Sequence, residues 1–305
     1  MGATGTSIFD RQNDPRLLAL LRAAAVSHRR AKRLASAHVV LSVLLAGLGV
    51  AGVFVPVLRT PGTLLGMVWA LAYAAGARWW ATRELRRAAL LQEMCDVHLL
   101  VLPWNTVLAG GTELPAHEVG RVARRYGGPE SRLQDYFFEA TALSRPLDVL
   151  ACQLQVLGWG ARVRRRYATT VSCGLLLWTA AGIAIGLARS MTVSELLLQW
   201  FVPSLGLLLL GLDTAAAQRD TAQAREHAHA VLLDAMRRHV ARGRPAEDVP
   251  GLLDLARQAQ DVLLRTRLGQ VRVPDWFFRR FQTADREDFA QAMRELDQLA
   301  ADPAP

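Results

Sequence analysis

Residues 39–80 read VVLSVLLAGLGVAGVFVPVLRTPGTLLGMVWALAYAAGARWW, with Arg59 and Arg78 as the only charges. Pro61 and Gly62 divide the stretch into two apolar runs, 39–58 and 64–80. A helix needs about 20 apolar residues to cross a bilayer, so the stretch reads as a membrane hairpin. The pattern recurs at 168–187 and 196–212, broken by Arg189, Ser190 and Thr192. Such short connections predict two antiparallel hairpins and four spans. Composition agrees: 51% hydrophobic residues beside 21% charged ones fit one chain when the apolar residues are concentrated in a few segments.

Orientation follows from the basic residues. Only Arg59 and Arg189 fall in the hairpin tips, leaving 34 of the 36 Lys and Arg on the other side. The positive-inside rule then puts both termini and the middle segment in the cytoplasm. Trp79 and Trp80, beside Arg78 and Arg83, read as an interfacial anchor at the inner end of the second span. The net charge of +9 is compatible with nucleic acid or an acidic ligand, but topology alone accounts for most of it. The first apolar run begins only near His38, without a small-residue cleavage site before it, so this span is expected to stay in the mature protein.

The expected fold is an all-α integral membrane protein, with a mostly helical cytoplasmic part continuous with the spans. The organisation reads as an amphipathic N-terminal helix (1–37), a first hairpin (38–80), a helical region (81–166), a second hairpin (167–212) and a helical C-terminal region (213–305). Pro274-Asp275-Trp276 reads as a turn between two helical patches of the tail.

The spans carry almost nothing ionisable near mid-membrane, where a coupled transporter would be expected to hold its site. They do carry small residues at four-residue spacing: Gly66, Ala70 and Ala74 in one, Gly182 and Gly186 in another. Such stripes let helices approach closely, within one subunit or between subunits. Glu195 and Gln199 share a face at the outer end of the fourth span, and Pro203 is expected to kink it, with neighbours satisfying the freed carbonyl.

Catalytic signatures are missing. His227-Ala228-His229 lacks the i, i+4 spacing of a zincin helix, and there is no phosphate-cradling glycine loop or nucleophile elbow. Cys95, Cys152 and Cys173 are odd in number and widely spaced, which excludes a complete disulfide framework. The reading is a non-enzyme without cofactor or metal.

Several segments resemble a known family. Ile8, Arg11-Gln12-Asn13, Gln92-Glu93, Asp96, Leu102-Pro103-Trp104-Asn105, Asp135-Tyr136, Cys152-Gln153, Trp159, Arg164 and Pro274-Asp275-Trp276-Phe277 follow one another around the four spans. In that order they resemble the SMODS-associated four-transmembrane effectors of bacterial CBASS anti-phage systems. The likeness is incomplete before the third span, where Leu154, Val156 and Gly160 replace the family's usual arginine, asparagine and aspartate. The resemblance implies an effector of the bacterial inner membrane. A partner nucleotidyltransferase (CD-NTase) would supply a cyclic di- or trinucleotide. The effector would bind it on the cytoplasmic side and rearrange or assemble as a homo-oligomer in the lipid bilayer, disrupting the membrane and aborting infection.

A receptor for such a ligand needs arginines near stacking aromatics. Two neighbourhoods qualify: Arg121, Arg124, Arg125 and Tyr126 with Trp104 and Asn105, and Gln153, Trp159, Arg162 and Arg164. Asp135 and Tyr136 join them through the resemblance. Each has a plainer reading. Arginines 162–166 also suit lipid phosphates, arginines 121–125 a solvated face, and the two tryptophans a core. A DNA or RNA polymer is not an expected partner. A membrane scaffold acting through its cytoplasmic helices is the competing function, and a small transporter or channel the third.

Overall fold

The computed structural model describes residues 7–76, 81–138, 143–269 and 273–301, with side chains through residue 298. Among these residues every regular element is helical. In chain order the α-helices are α1 (Ile8–Arg11), α2 (Pro15–Phe54), α3 (Arg59–Ala75), α4 (Thr82–Leu100), α5 (Thr106–Ala109), α6 (Ala116–Ala123), α7 (Leu147–Ala188), α8 (Val193–Leu196), α9 (Val202–Ala241), α10 (Val249–Gly269) and α11 (Asp275–Ala301).

Among the described residues, three helices are long and apolar enough to cross a membrane: α2, α7 and the continuous run of α8 and α9 over Val193–Ala241. Alpha2 begins at Pro15, a residue whose missing N–H costs nothing at a first helical position. No break then occurs for 40 residues, about 60 Å of helix, so the segment 15–37 feeds directly into the apolar run. The second predicted span corresponds to α3, which is 17 residues long and ends at Gly76. The proposed anchor of Arg78, Trp79 and Trp80 lies outside the described residues, as does Ala77. Pro274-Asp275-Trp276 differs from expectation. Asp275 opens α11, and the Pro274 carbonyl accepts from Phe277 N and Phe278 N. Proline terminates what precedes it, but it also starts a helix well, and here the second property wins.

The chain divides into two compact units. One comprises Met1–Arg29, Glu84–Arg164 and Thr221–Pro305; the other comprises Arg30–Arg83 and Arg165–Asp220. Helices α2, α7 and α9 contribute to both. The first unit has an ordinary apolar core, in which Ile8, Leu91, Leu100, Leu147, Leu150, Leu157, Leu232, Met236 and Leu263 are fully buried. Each such side chain stabilises by about 1.5–3 kcal/mol relative to exposure.

The second unit inverts that pattern. Leu44, Val68, Leu71, Leu176, Leu177 and Leu187 are exposed, Leu187 by 77%. A contiguous bare apolar surface of this kind is stable only against lipid or another protein. Its interior is built instead from small residues. Gly66 on α3 and Gly49 on α2 both abut Pro203 of α9 so closely that an added methyl group would collide with it. Gly182 on α7 likewise admits Trp200. Before Pro203 the backbone widens into one π-helical turn, Leu197–Phe201. The carbonyl of Leu198 receives the Thr63 hydroxyl at 2.7 Å. The expected satisfaction of backbone groups around the proline therefore comes from α3.

Candidate functional site

In the first unit, α10 gathers residues from three of the segments that carry the family resemblance. Arg257 donates to Glu93 Oε1 at 2.8 Å, to the Pro103 carbonyl at 2.7 Å and to Asp261 Oδ1 at 2.7 Å. Asn105 Nδ2 donates to the other Asp261 oxygen at 3.0 Å, while its side-chain oxygen caps α5 by accepting from Leu108 N. Gln260 Nε2 donates to Glu93 at 2.8 Å and Asp96 at 3.1 Å, and its oxygen accepts from Gln153 Nε2 at 3.3 Å. Gln153 also donates to the Ala256 carbonyl at 2.8 Å. Arg267 closes the cluster against Asp96 at 2.6 Å.

This cluster is buried: Glu93 is 1% exposed and Gln260 is 0% exposed. Burial raises the Glu93 pKa, and Arg267, Arg257 and Gln260 only partly offset it. Burial disfavours the charge on Arg267 too, but Asp96 and Glu93 outweigh it and raise its pKa. Burial also pushes the Cys95 thiol well up, leaving it protonated and unreactive. Three carboxylates against two guanidinium groups, all bonded to one another, form a structural tie between α4, α7 and α10. Sequence reading named Asn105 and Gln153 but missed Arg257, Gln260, Asp261 and Arg267. The available signal was a polar strip on an otherwise apolar helix, with Arg257, Gln260 and Asp261 at i, i+3 and i+4.

The opening segment is a second tie. Arg11 donates to the Leu99 carbonyl at 3.0 Å. Gln12 Oε1 accepts from Phe137 N at 2.9 Å. Asn13 and Asp135 exchange two hydrogen bonds, of 2.8 and 3.2 Å. Asp135 is thereby committed, whereas Tyr136 is 46% exposed, with its ring edge-on to Phe137 at 5.0 Å. The Trp104 indole donates to the Gly111 carbonyl at 2.9 Å and packs on the core.

Around Trp159 the structure brings together α7, α9, α10 and α11. The Trp159 ring stacks on Phe278 and Phe289, with centroids 5.9 and 5.7 Å away. Arg162 lies over the Phe289 ring at 4.7 Å and pairs with Asp285 at 3.4 Å and with Asp288. Gly160, where the family usually has aspartate, leaves no room for a Cβ beside Arg225, which donates to Thr266 Oγ1 at 3.0 Å. Arg164 is buried. The stacking faces and the cations of this neighbourhood are therefore occupied from within.

Arg121, Arg124 and Arg125 differ. Alpha6 buries Val119, Val122 and Ala123, leaving Arg121 within it and Arg124 and Arg125 in the turn that follows facing outward. All three are exposed, and among the described residues none meets a carboxylate. Tyr126 beside them is half-buried and donates to the Pro129 carbonyl at 3.1 Å. Of the candidate cations, only this trio is free to meet a ligand.

Among the membrane residues, Gly66 and Gly182 are filled by Pro203 and Trp200, and Gly186 faces Leu196 within 3.1 Å. Ala70 is buried and Ala74 exposed. Glu195 accepts from Thr192 N and Thr192 Oγ1 at 2.8 and 2.9 Å, capping α8. Gln199 is half-buried, and its carbonyl oxygen abuts Gly49. Among the described residues no group of three or more His, Cys, Asp or Glu side chains could hold a metal.

No solved structure matches the chain. It is similar to a probable CBASS effector molecule of Bacillus cereus (strain VD146), 21% identical over 216 residues that cover 68% of this chain and 72% of that protein. Residues 6–296 match the family described as the SMODS-associating 4TM effector domain. With nearly its whole length inside that match, the chain belongs to the SMODS-associating 4TM effector family.

Proposed function

We propose that this protein is a CBASS membrane effector that takes a cyclic oligonucleotide on its first unit and answers by disrupting the membrane. Membership of the effector family carries the reading at the level of the system. At the level of the site, the supporting observation is the unpaired trio Arg121, Arg124 and Arg125 at the end of α6. Guanidinium groups at neighbouring positions match phosphate oxygens, and no carboxylate has to be displaced first. The ligand class is a cyclic di- or trinucleotide supplied by a partner nucleotidyltransferase.

Alpha3 serves as the fourth span. It runs alongside α9 from the Thr63–Leu198 contact to the Tyr73–Asp213 contact, in the same direction. Its 17 residues give about 26 Å of helix, close to the thickness of a hydrocarbon core. Four spans place both termini on one side, and the arginine distribution makes that side the cytoplasm of a bacterial inner membrane. The bare apolar surface of the second unit suits lipid and a homo-oligomer formed on activation.

The test is a thermal-shift screen of cyclic di- and trinucleotides, because a ligand that binds only the folded state raises its stability. One of them should raise the melting temperature of the wild type and release dye from liposomes carrying it. The Arg121→Gln/Arg124→Gln/Arg125→Gln variant should keep its unliganded melting temperature and lose both responses. If no cyclic nucleotide shifts the wild type and the liposomes stay sealed, the proposal fails.

A further inference from the structure

We infer that Trp69–Ser42 and Tyr73–Asp213 form a latch that holds α2, α3 and α9 together at one end of the second unit, keeping the membrane part closed; the functional half of this inference rests on the disruption reading above. Trp69 of α3 sits at its centre. Its indole N–H donates to Ser42 Oγ of α2 at 2.9 Å, a fully buried hydrogen bond. Its ring lies against Gly206 of α9, where a Cβ would overlap it. One turn along α3, the Tyr73 hydroxyl donates to Asp213 Oδ2 of α9 at 3.2 Å. His38 of α2, 5% exposed, completes the group, edge-on to Trp69 at 5.9 Å and to Tyr73 at 6.2 Å.

These residues stand at matching levels of the apolar runs. His38 immediately precedes the first run, and Asp213 immediately follows the last. Elsewhere the seam between these helices is made of the non-directional contacts of Gly49, Gly66 and Pro203, with the Thr63–Leu198 hydrogen bond at its far end. The polar end is different. Two hydrogen bonds fix both spacing and rotation of α3, and breaking them in a low-dielectric surrounding is costly. A rearrangement that parts α3 from α9 must break this end.

The test uses the full-length protein in liposomes of phosphatidylethanolamine and phosphatidylglycerol, without nucleotide. Trp69→Phe and Tyr73→Phe each remove one hydrogen bond and keep an aromatic ring. The expectation is faster backbone amide exchange over residues 66–75 and 206–216, together with a several-fold rise in spontaneous dye release. The Trp69→Phe/Tyr73→Phe double variant should leak most. Unchanged exchange in both single variants would overturn the latch. Faster exchange with no extra leak, in a protein whose wild type leaks on adding a cyclic nucleotide, would overturn its role as the closing device. Faster exchange in a protein whose wild type never leaks would support the latch and sink the disruption reading instead.

Discussion

Val101 is a β-branched residue at φ 52°, in a region where its side chain crowds the backbone. Three carbonyls at this helix end explain why it stays there. Arg145 donates to Leu100 O and Val101 O, both at 2.9 Å, and Arg11 donates to Leu99 O. The two cations also oppose the negative end of the α4 dipole. The side chain itself is 56% exposed and contributes little packing. Val101→Gly should therefore stabilise the protein by about 1 kcal/mol, a fraction of the 1–3 kcal/mol such strain costs; a fall in melting temperature would contradict this. The buried cluster supports a paired comparison. Arg267→Met leaves the Asp96 carboxylate without its cation, beside Glu93, and should cost about 3–5 kcal/mol. Glu93→Gln should be mild, within about 1 kcal/mol, because Arg257 keeps Asp261 and Arg267 keeps Asp96. The pH dependence has a definite sign. With its pKa raised in the fold, Glu93 binds a proton more tightly folded than unfolded. Between its ordinary value and the raised one, stability falls as pH rises. Acidification through that window should thus raise the wild-type melting temperature relative to Glu93→Gln, and a gap that narrows the other way would refute the assignment.

At the scale of elements, α3 depends on what touches it more than on its own composition. Gly66→Val would drive a branched side chain into the Pro203 backbone and should prevent α3 from seating beside α9. Thr63→Val is subtler. The Thr63 hydroxyl is shared between Arg59 O and Leu198 O, so its loss strands the carbonyl at the π-helical turn and should cost about 1–3 kcal/mol. Thr63→Ser should recover that loss in a thermal melt in detergent; equal destabilisation by both would exclude the hydrogen bond as the cause. The long apolar helices were legible from sequence because hydropathy over about 20 residues is a local property. Pro203 and the small-residue stripes were legible for the same reason, as departures from a regular run. What Gly66 faces was not, since Pro203 lies 137 positions away. The cluster on α10 was hidden likewise: Arg257 reaches Glu93 across 164 residues and Asn105 reaches Asp261 across 156. The chemistry that makes Trp159 and Arg162 candidate ligand groups also lets Phe278, Phe289, Asp285 and Asp288 engage them. Partners and exposure separate Arg121, Arg124 and Arg125 from Arg162 and Arg164, and neither is written in residue type.

Across the whole molecule, the decisive feature is that α2, α7 and α9 each belong to both units without interruption. The proposed disruption requires α7 to carry the effect of a ligand from its first-unit half to its apolar half. The pair Arg165 and Arg166 stands where α7 passes from one unit to the other. Replacing both with glycine removes two charges and softens the helix, at about 1 kcal/mol per position, while leaving both cores intact. If binding in the first unit drives the membrane response through α7, the double glycine variant should still show the nucleotide-induced rise in melting temperature, yet release several-fold less dye. Arg165→Gln/Arg166→Gln removes the same charges without adding flexibility and should release dye nearly as well as the wild type. Equal loss in both variants would trace the effect to the charges of the arginines, and loss of the thermal shift in the glycine variant would place α7 in binding instead of transmission. The discriminating result is a protein that still binds and no longer acts, which a role of α7 in transmission predicts and a role in binding does not.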